Sequence, residues 1–220
     1  MKAVTRRLTR KSDETRQRIL DAAASTLANR GYAGTSIKAI ADAVEMQDAS
    51  LYYHFESKDA LVLEVLRVGV VLSEAAVNHA VSALGDDPDP IAALREAIIA
   101  HASAVLGMGD YPCANVRNFG QLPPEIVGAQ MSHQQRYGNV WRNLVQNAMA
   151  SGRIRKDLDA SAVRLLILGA LNWAPEWYSL QGALSPHGIG ELMATMIIDG
   201  LTAPVAAART ATAPIDTEHQ

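Results

Sequence analysis

Cysteine is almost missing from this sequence: Cys113 is the one thiol in 220 residues. A single cysteine closes no intramolecular disulfide and builds no thiolate zinc cluster. Long apolar runs are also missing. The longest stretch without an acidic or basic side chain of the Asp, Glu, Lys or Arg type is Trp177–Gly190, 14 residues broken by Pro186 and by glycines, short of the roughly 18–20 apolar residues of a membrane span. The N-terminus is basic but has no apolar segment behind it, so it is no signal peptide. These absences lead to the expectation of a cytoplasmic bacterial protein with no membrane partner. Convincing strand-like alternation is lacking too, and long segments repeat apolar residues at helical spacing, so the fold expected is all-α, with about nine helices. The six histidines show no H-x-x-x-H or H-E-x-x-H spacing, there is no Gly-rich phosphate loop, and Cys113 has no recognisable partner. No catalytic residue, metal site or cofactor is therefore expected, and the chain is not read as an enzyme.

What is present is a 49% apolar chain, enough to bury a sizeable core, with an uneven charge. Residues 1–60 carry 10 Lys and Arg against 8 Asp and Glu, and residues 61–220 carry 10 against 15. A mildly basic head on an acidic body suits a small nucleic-acid footprint on an otherwise acidic protein. Residues 1–12 hold Lys2, Arg6, Arg7, Arg10 and Lys11 with no acid. They read as a basic flexible arm, free in solution and able to order along phosphate or in a minor groove. A first helix is predicted over Asp13–Arg30, with Ile19, Leu20, Ala23, Ala24 and Leu27 inward and Gly31 as its stop.

The stretch from Thr35 to Lys58 reads as two short helices and a tight turn. Ile37, Ile40, Ala41 and Val44 fall on one helical face, with Thr35 and Ser36 placed to cap the exposed N–H groups. The turn Glu45-Met46-Gln47 follows. The second helix, about Asp48–His54, holds Leu51 and Phe55 four apart as inward anchors, leaving Ser50, Tyr52, Tyr53 and His54 on or beside the outer face. Such a pair forms a helix-turn-helix whose second helix can enter a DNA major groove. Periodicity alone equally allows a surface helix with two half-buried tyrosines. Lys58 opens a long helix in which Leu61, Val62, Val65, Leu66, Val68, Val70, Val71 and Leu72 give a wide apolar surface. One side would face the head and the other the body, making this helix a lever between them, ended by Gly85 and Asp86–Pro90.

The string LYYHFESKDALV, preceded by T-S-I-x-x-I-A-x-x-V, resembles the DNA-binding signature of TetR-family transcriptional repressors. The resemblance implies a three-helix head over residues 13–57 bound to a double-stranded DNA operator. By it, Thr35 and Ser36 lie near phosphate, Gln47, Ser50, Tyr52, Tyr53 and His54 occupy DNA-contacting positions, and Lys58 occupies that of a phosphate-contacting lysine. Two positions depart from the pattern. Glu45 stands where the turn usually carries glycine, and Gln47-Asp48 stand where Ser-Lys is frequent. Asp48 opposes phosphate, so it either reads a cytosine amino group or caps the helix.

Further helices are predicted over Pro90–Leu106, Glu125–Ser151 and Pro186–Leu201, with an irregular or short helical piece around Cys113 and Phe119. Another begins at Asp157-Leu158-Asp159, has its apolar centre at Val163–Ala174 and is kinked by Pro175. The body, residues 58–202, resembles the TetR regulatory domain in layout, which implies a homodimer built from the last two long helices of each subunit. Leu165, Leu168, Gly169, Leu192, Met196 and Ile197 are the candidate interface, although an ordinary intrachain core accounts for the same residues. A pocket for a small hydrophobic effector is expected from His101, Met108, Tyr111, Phe119, Trp141, Leu144, Asn172, Trp173 and Trp177, with Arg117 and Arg136 as polar partners. Each of these fits core packing as well. The run Asn172–Tyr178, N-W-x-x-x-W-Y, is similar to one in family members that respond to acyl-CoA thioesters or other lipid-derived effectors. Residues 203–220, Ala- and Thr-rich, are expected to form a flexible tail. The function implied is a ligand-responsive repressor. The alternative is a helical carrier of a hydrophobic ligand whose head binds a protein.

Overall fold

The computed structural model describes residues 2–118 and 120–202, without the side chains of residues 2–11 and 130. Phe119 and the tail expected at residues 203–220 lie outside them. Among the described residues the chain forms nine α-helices and no strand. The first, α1 (Lys2–Arg30), starts well before the Asp13 expected. Neither glycine nor proline interrupts residues 2–30, so the segment read as a separate arm continues the first helix. Gly31, at φ +66°, ends it, because a left-handed residue just past a helix closes off the last carbonyls and glycine adopts that conformation without a Cβ clash.

Two short helices follow, α2 (Ile37–Ala43) and α3 (Asp48–Tyr52). Then comes α4 (Lys58–Ser82), capped by Ser57, whose Oγ accepts from the Ala60 N–H at 3.0 Å. Leu61, Val62, Val65 and Leu66 of α4 enter the head core with Ile19, Leu27, Ile40 and Leu51. Val70 and Val77, further along the same helix, enter the body core. The two cores thus follow one another along α4, Val62, Leu66, Val70 and Val77 sharing one face, and do not take opposite sides of the helix as expected from the sequence. Ala114 and Ile126, from the body, also belong to the head core, so a cut at residue 57/58 divides helices and not hydrophobic units.

The body comprises α5 (Pro90–Gly107), α6 (Asp110–Asn118), α7 (Pro124–Ala150), α8 (Ala160–Trp177) and α9 (Pro186–Thr202). Proline at the first position of α5 costs nothing, its missing N–H being one of the unpaired four, and Asp89 accepts from the N–H groups of Ile91 and Ala92 at 3.0 and 2.9 Å. By length and composition α5 could cross a membrane, but here Leu94, Ala97, Ile98 and Ala102 make it the body's central helix, packed against α4 and α9. The segment around Cys113, expected to be irregular or a short helix, is the short helix α6. It lies hard against α4 at Gly69: a Cβ there would fall 2.2 Å from the carbonyl oxygen of Tyr111. That backbone-to-backbone crossing seats α6 between α4 and α1.

Candidate nucleic-acid interface and effector cavity

The helix-turn-helix is held by complementary caps. Ser36 Oγ accepts from the Ala39 N–H at 3.1 Å. At the other end of α2 the Met46 N–H returns to the Ala41 carbonyl at 2.9 Å and the Glu45 N–H to Asp42 at 3.3 Å, the paired bonds of a Schellman turn. Glu45 sits at its left-handed position, φ 57°, which is why glycine is the expected residue there. Arg18 donates to the Val44 carbonyl at 3.0 Å, tying the turn to α1.

Leu51 and Phe55 are buried, and the Arg16 guanidinium lies 4.6 Å from the Phe55 ring centre. Burying side chains of this size stabilises by about 2 kcal/mol each and fixes the rotation of α3. That rotation leaves Tyr52 56% and Tyr53 84% exposed. Two adjacent aromatic side chains presented this far to water make a surface suited to contact with a partner. Gln47 and Asp48 are also exposed, and Ser50 and His54 are half-buried beside them, His54 with its ring edge-on to Tyr53. Gln47, and not Asp48, is the N-cap residue of α3, and it makes no side-chain cap bond.

Two of the expected DNA contacts are placed differently. Thr35 is buried, and its hydroxyl donates to the Gly31 carbonyl at 2.8 Å; it braces the end of α1 and does not face outward. Lys58 is half-buried, with Nζ donating to the Tyr32 carbonyl at 2.8 Å and lying 3.9 Å from the Tyr32 ring centre. Tyr32 in turn donates to Asp59 at 2.7 Å. An ammonium has three donors, so Lys58 keeps capacity for a phosphate while its position is set from behind.

The body holds a cavity of about 720 Å³ between α5, α6, α7 and α8. Of the expected pocket residues, His101, Trp141, Asn172 and Trp173 line it. Tyr111 does not: its hydroxyl donates to Asp21 at 2.7 Å and accepts from Gln17 at 3.0 Å, bolting α6 to α1. Leu144 belongs to the core, Met108 and Trp177 are exposed, and neither these nor Tyr111 reach the cavity. Leu165, Leu168 and Gly169, expected at a dimer interface, line the cavity where it opens along α8, while Leu192 and Met196 are exposed on α9 and Ile197 is packed partly against the core.

Tyr137, Gln134 and Arg164 line the cavity without having been singled out as pocket residues. Tyr137 lies one helical turn before Trp141, and that spacing was the available signal. Arg164 has no hydrogen bond or ion pair among the described residues. Arg117 lines the same cavity and is engaged at all three nitrogens: Nε donates to Glu176 at 2.8 Å, Nη1 to the Ala28 carbonyl at 2.6 Å and Nη2 to the Pro175 carbonyl at 2.9 Å. Arg136 lies elsewhere, paired with Glu74. Burial pushes the Cys113 thiol up from its ordinary value, which keeps it protonated and unreactive.

Comparison with known proteins agrees with this geometry. Residues 19–65 match the family model for bacterial regulatory proteins of the tetR family, and residues 87–201, more than half the chain, match the model for the tetracyclin repressor-like C-terminal domain. The chain belongs to the TetR family. The HTH-type transcriptional repressor KstR2 of Mycolicibacterium smegmatis is 29% identical over 192 residues, covering 85% of this chain and 90% of that protein. The probable acrEF/envCD operon repressor of Escherichia coli strain K12 is 26% identical over 168 residues, 72% of this chain and 73% of that one. Among solved structures, AibR in complex with isovaleryl coenzyme A and operator DNA aligns with a TM-score of 0.73 at 25% identity, over 86% of this chain and 99% of that one. The ketosteroid transcriptional regulator KstR2 of Mycobacterium tuberculosis aligns with a TM-score of 0.74 at 23% identity, over 86% and 96%, and shows the same fold. TetR-family proteins are DNA-binding transcription factors and not enzymes. The head is therefore a DNA-binding element, and the reading of this chain as a carrier with a protein-gripping head falls away.

Proposed function

We propose that this TetR-family regulator is a homodimeric repressor that holds a palindromic operator in the cytoplasm and releases it when a hydrophobic, anionic effector, best an acyl-CoA thioester, enters the body cavity. The observation that carries the reading is Arg164, an arginine without a hydrogen bond or ion pair among the described residues. It stands in the wall of a cavity where apolar side chains such as Leu165, Leu168 and Trp173 lie beside amides and the paired Arg117. A guanidinium left unpaired at such a site suits a carboxylate or phosphate, which it can grip with two parallel hydrogen bonds. Support also comes from AibR, an operator-binding relative in fold whose complex contains an acyl-CoA.

Duplication follows from readout: α3 is five residues long, and one such helix contacts too few base pairs for a specific site, so two heads one helical turn apart are needed. Leu166 and Met196 are 73% and 69% exposed on α8 and α9, and a second copy would cover them. Effector entry would then disturb α6 and α8, which Arg117 of α6 joins through Pro175 and Glu176, and shift the heads by favouring the arrangement with lower operator affinity.

The test is operator binding measured with increasing acyl-CoA. Affinity should fall steeply with salt through counterion release, fall at least tenfold on Tyr53→Ala with no change in melting temperature, and fall with added thioester in the wild type but not in Arg164→Met. Operator complexes indifferent to a series of acyl-CoA thioesters would remove the effector assignment.

A further inference from the structure

Three cavity-side groups, Tyr137, His101 and Asn172, form one chain of polar contacts. His101 is buried, with Nδ1 2.6 Å from the Tyr137 hydroxyl and Nε2 3.1 Å from Asn172 Oδ1. Behind Tyr137, the indole N–H of Trp141 is buried and has no hydrogen-bond acceptor in place. The two rings cross at 69° with centres 6.3 Å apart.

The direction of this chain follows from what each group can do. An amide oxygen accepts and never donates, so the contact between His101 Nε2 and Asn172 Oδ1 is made by an Nε2–H. Burial pushes the Tyr137 hydroxyl up, which keeps it protonated. The hydroxyl hydrogen, itself buried, needs an acceptor. His101 Nδ1 is the one ring nitrogen in reach, so it accepts. A neutral imidazole then carries its proton on Nε2, and burial holds His101 neutral by lowering its pKa to about 4. Nε2–H in turn requires an acceptor, which orients the Asn172 carboxamide with Oδ1 toward the histidine. The amide Nδ2 group is left over. It makes no hydrogen bond within the described residues, and Asn172 lines the cavity.

We infer that His101 is a positioning residue that locks Asn172 with its amide N–H groups toward the cavity, so that the site selects an effector carrying a hydrogen-bond acceptor, such as a thioester carbonyl, at that depth. This rests on the cavity being the effector site. An alkyl chain alone would leave the amide desolvated and unpaired, which is how a site built to donate rejects a ligand that cannot accept. Tyr137 acts one step behind, its hydroxyl donating to the ring nitrogen that His101 leaves unprotonated.

Two measurements on the full-length protein decide it. Long-range ¹H–¹⁵N correlation of histidine-labelled protein at pH 7 should show His101 as the Nε2–H tautomer, its signal identified by its loss in His101→Gln. An Nδ1–H or doubly protonated ring would reverse the chain and overturn the inference. Calorimetric titration should then compare isovaleryl-CoA with S-(3-methylbutyl)-CoA, the thioether in which a methylene replaces the carbonyl. The thioester should bind about fivefold to tenfold more tightly, the effect of one hydrogen bond to a neutral group. Asn172→Asp keeps the bond to His101 but turns an acceptor toward the ligand, and should abolish or invert the preference. Equal affinities in the wild type would overturn the inference. Binding of neither compound would instead sink the acyl-CoA reading of the effector, with the tautomer still deciding the chain.

Discussion

Arg117 donates from Nη1 to the main-chain carbonyl of Ala28 at 2.6 Å. One side chain of the effector body thus holds the last turn of the first head helix. The same guanidinium takes the Pro175 carbonyl and Glu176 at the end of α8. Two helix C-termini, each carrying partial negative charge, converge on one cation that also lines the cavity. On the function proposed, an anionic effector entering the cavity would compete with Glu176 for the guanidinium and loosen the grip on α1.

Replacing Arg117 with Met should therefore uncouple head from body. The expected result is faster amide hydrogen exchange over residues 27–32 and operator binding that no longer responds to effector, with a stability loss of about 2 kcal/mol from hydrogen bonds to a charged donor. Unchanged exchange at the end of α1 would show that Asn118, which donates to the Leu27 carbonyl at 3.2 Å and accepts from the Tyr32 N–H at 2.7 Å, suffices alone.

Glu45→Gly should stabilise the protein. The φ of 57° at Glu45 costs a side-chain-bearing residue about 1 kcal/mol relative to glycine, and its side chain is exposed, so little packing is lost. A rise of a few degrees in melting temperature is expected for a chain of this size, with α3 and operator affinity unchanged. A fall would mean that glycine's added freedom in the unfolded chain outweighs the relieved strain.

The helix-turn-helix was legible because its signals are local: caps, an i, i+4 pair at Leu51 and Phe55, and a turn of fixed length. The cavity was not, since its wall is assembled from four helices far apart in the chain. Trp141 and Trp177 look alike in sequence, yet one is buried beside His101 and the other stands in solvent. Their difference is set by how α7 and α8 are rotated, which periodicity does not specify to one residue. Lys58 and Thr35 show the complementary case. Their types fit phosphate binding, and it took the positions of Tyr32 and Gly31 to show that both also brace the end of α1.

Stability should depend on pH through His101. Burial lowers its pKa from 6.5 to about 4, so the folded protein binds fewer protons than the unfolded chain between those values. The contribution is fully present above about pH 6.5 and declines by about 1.4 kcal/mol per pH unit as pH falls toward 4. Denaturant midpoints measured from pH 7 to 4.5 should fall with that slope beyond what surface groups contribute. His101→Gln, though less stable at neutral pH, should flatten the curve. An equally steep fall in that variant would place the acid sensitivity elsewhere.

The exposed face of α8 and α9 gives a last expectation. Leu166 and Met196 already lie in water in the single chain, so a charge at Met196 should cost the isolated subunit almost nothing. In a dimer that buries this face the same charge would be desolvated without a partner, a penalty of several kcal/mol per ion. Met196→Glu should thus leave helicity and cooperative unfolding of the subunit intact while sedimentation shifts to the monomer. Operator affinity should collapse by orders of magnitude, because the second head no longer adds its contacts. A dimer that survives Met196→Glu at micromolar concentration would put the interface on another face, and the pairing of α3 helices would have to be drawn again from there.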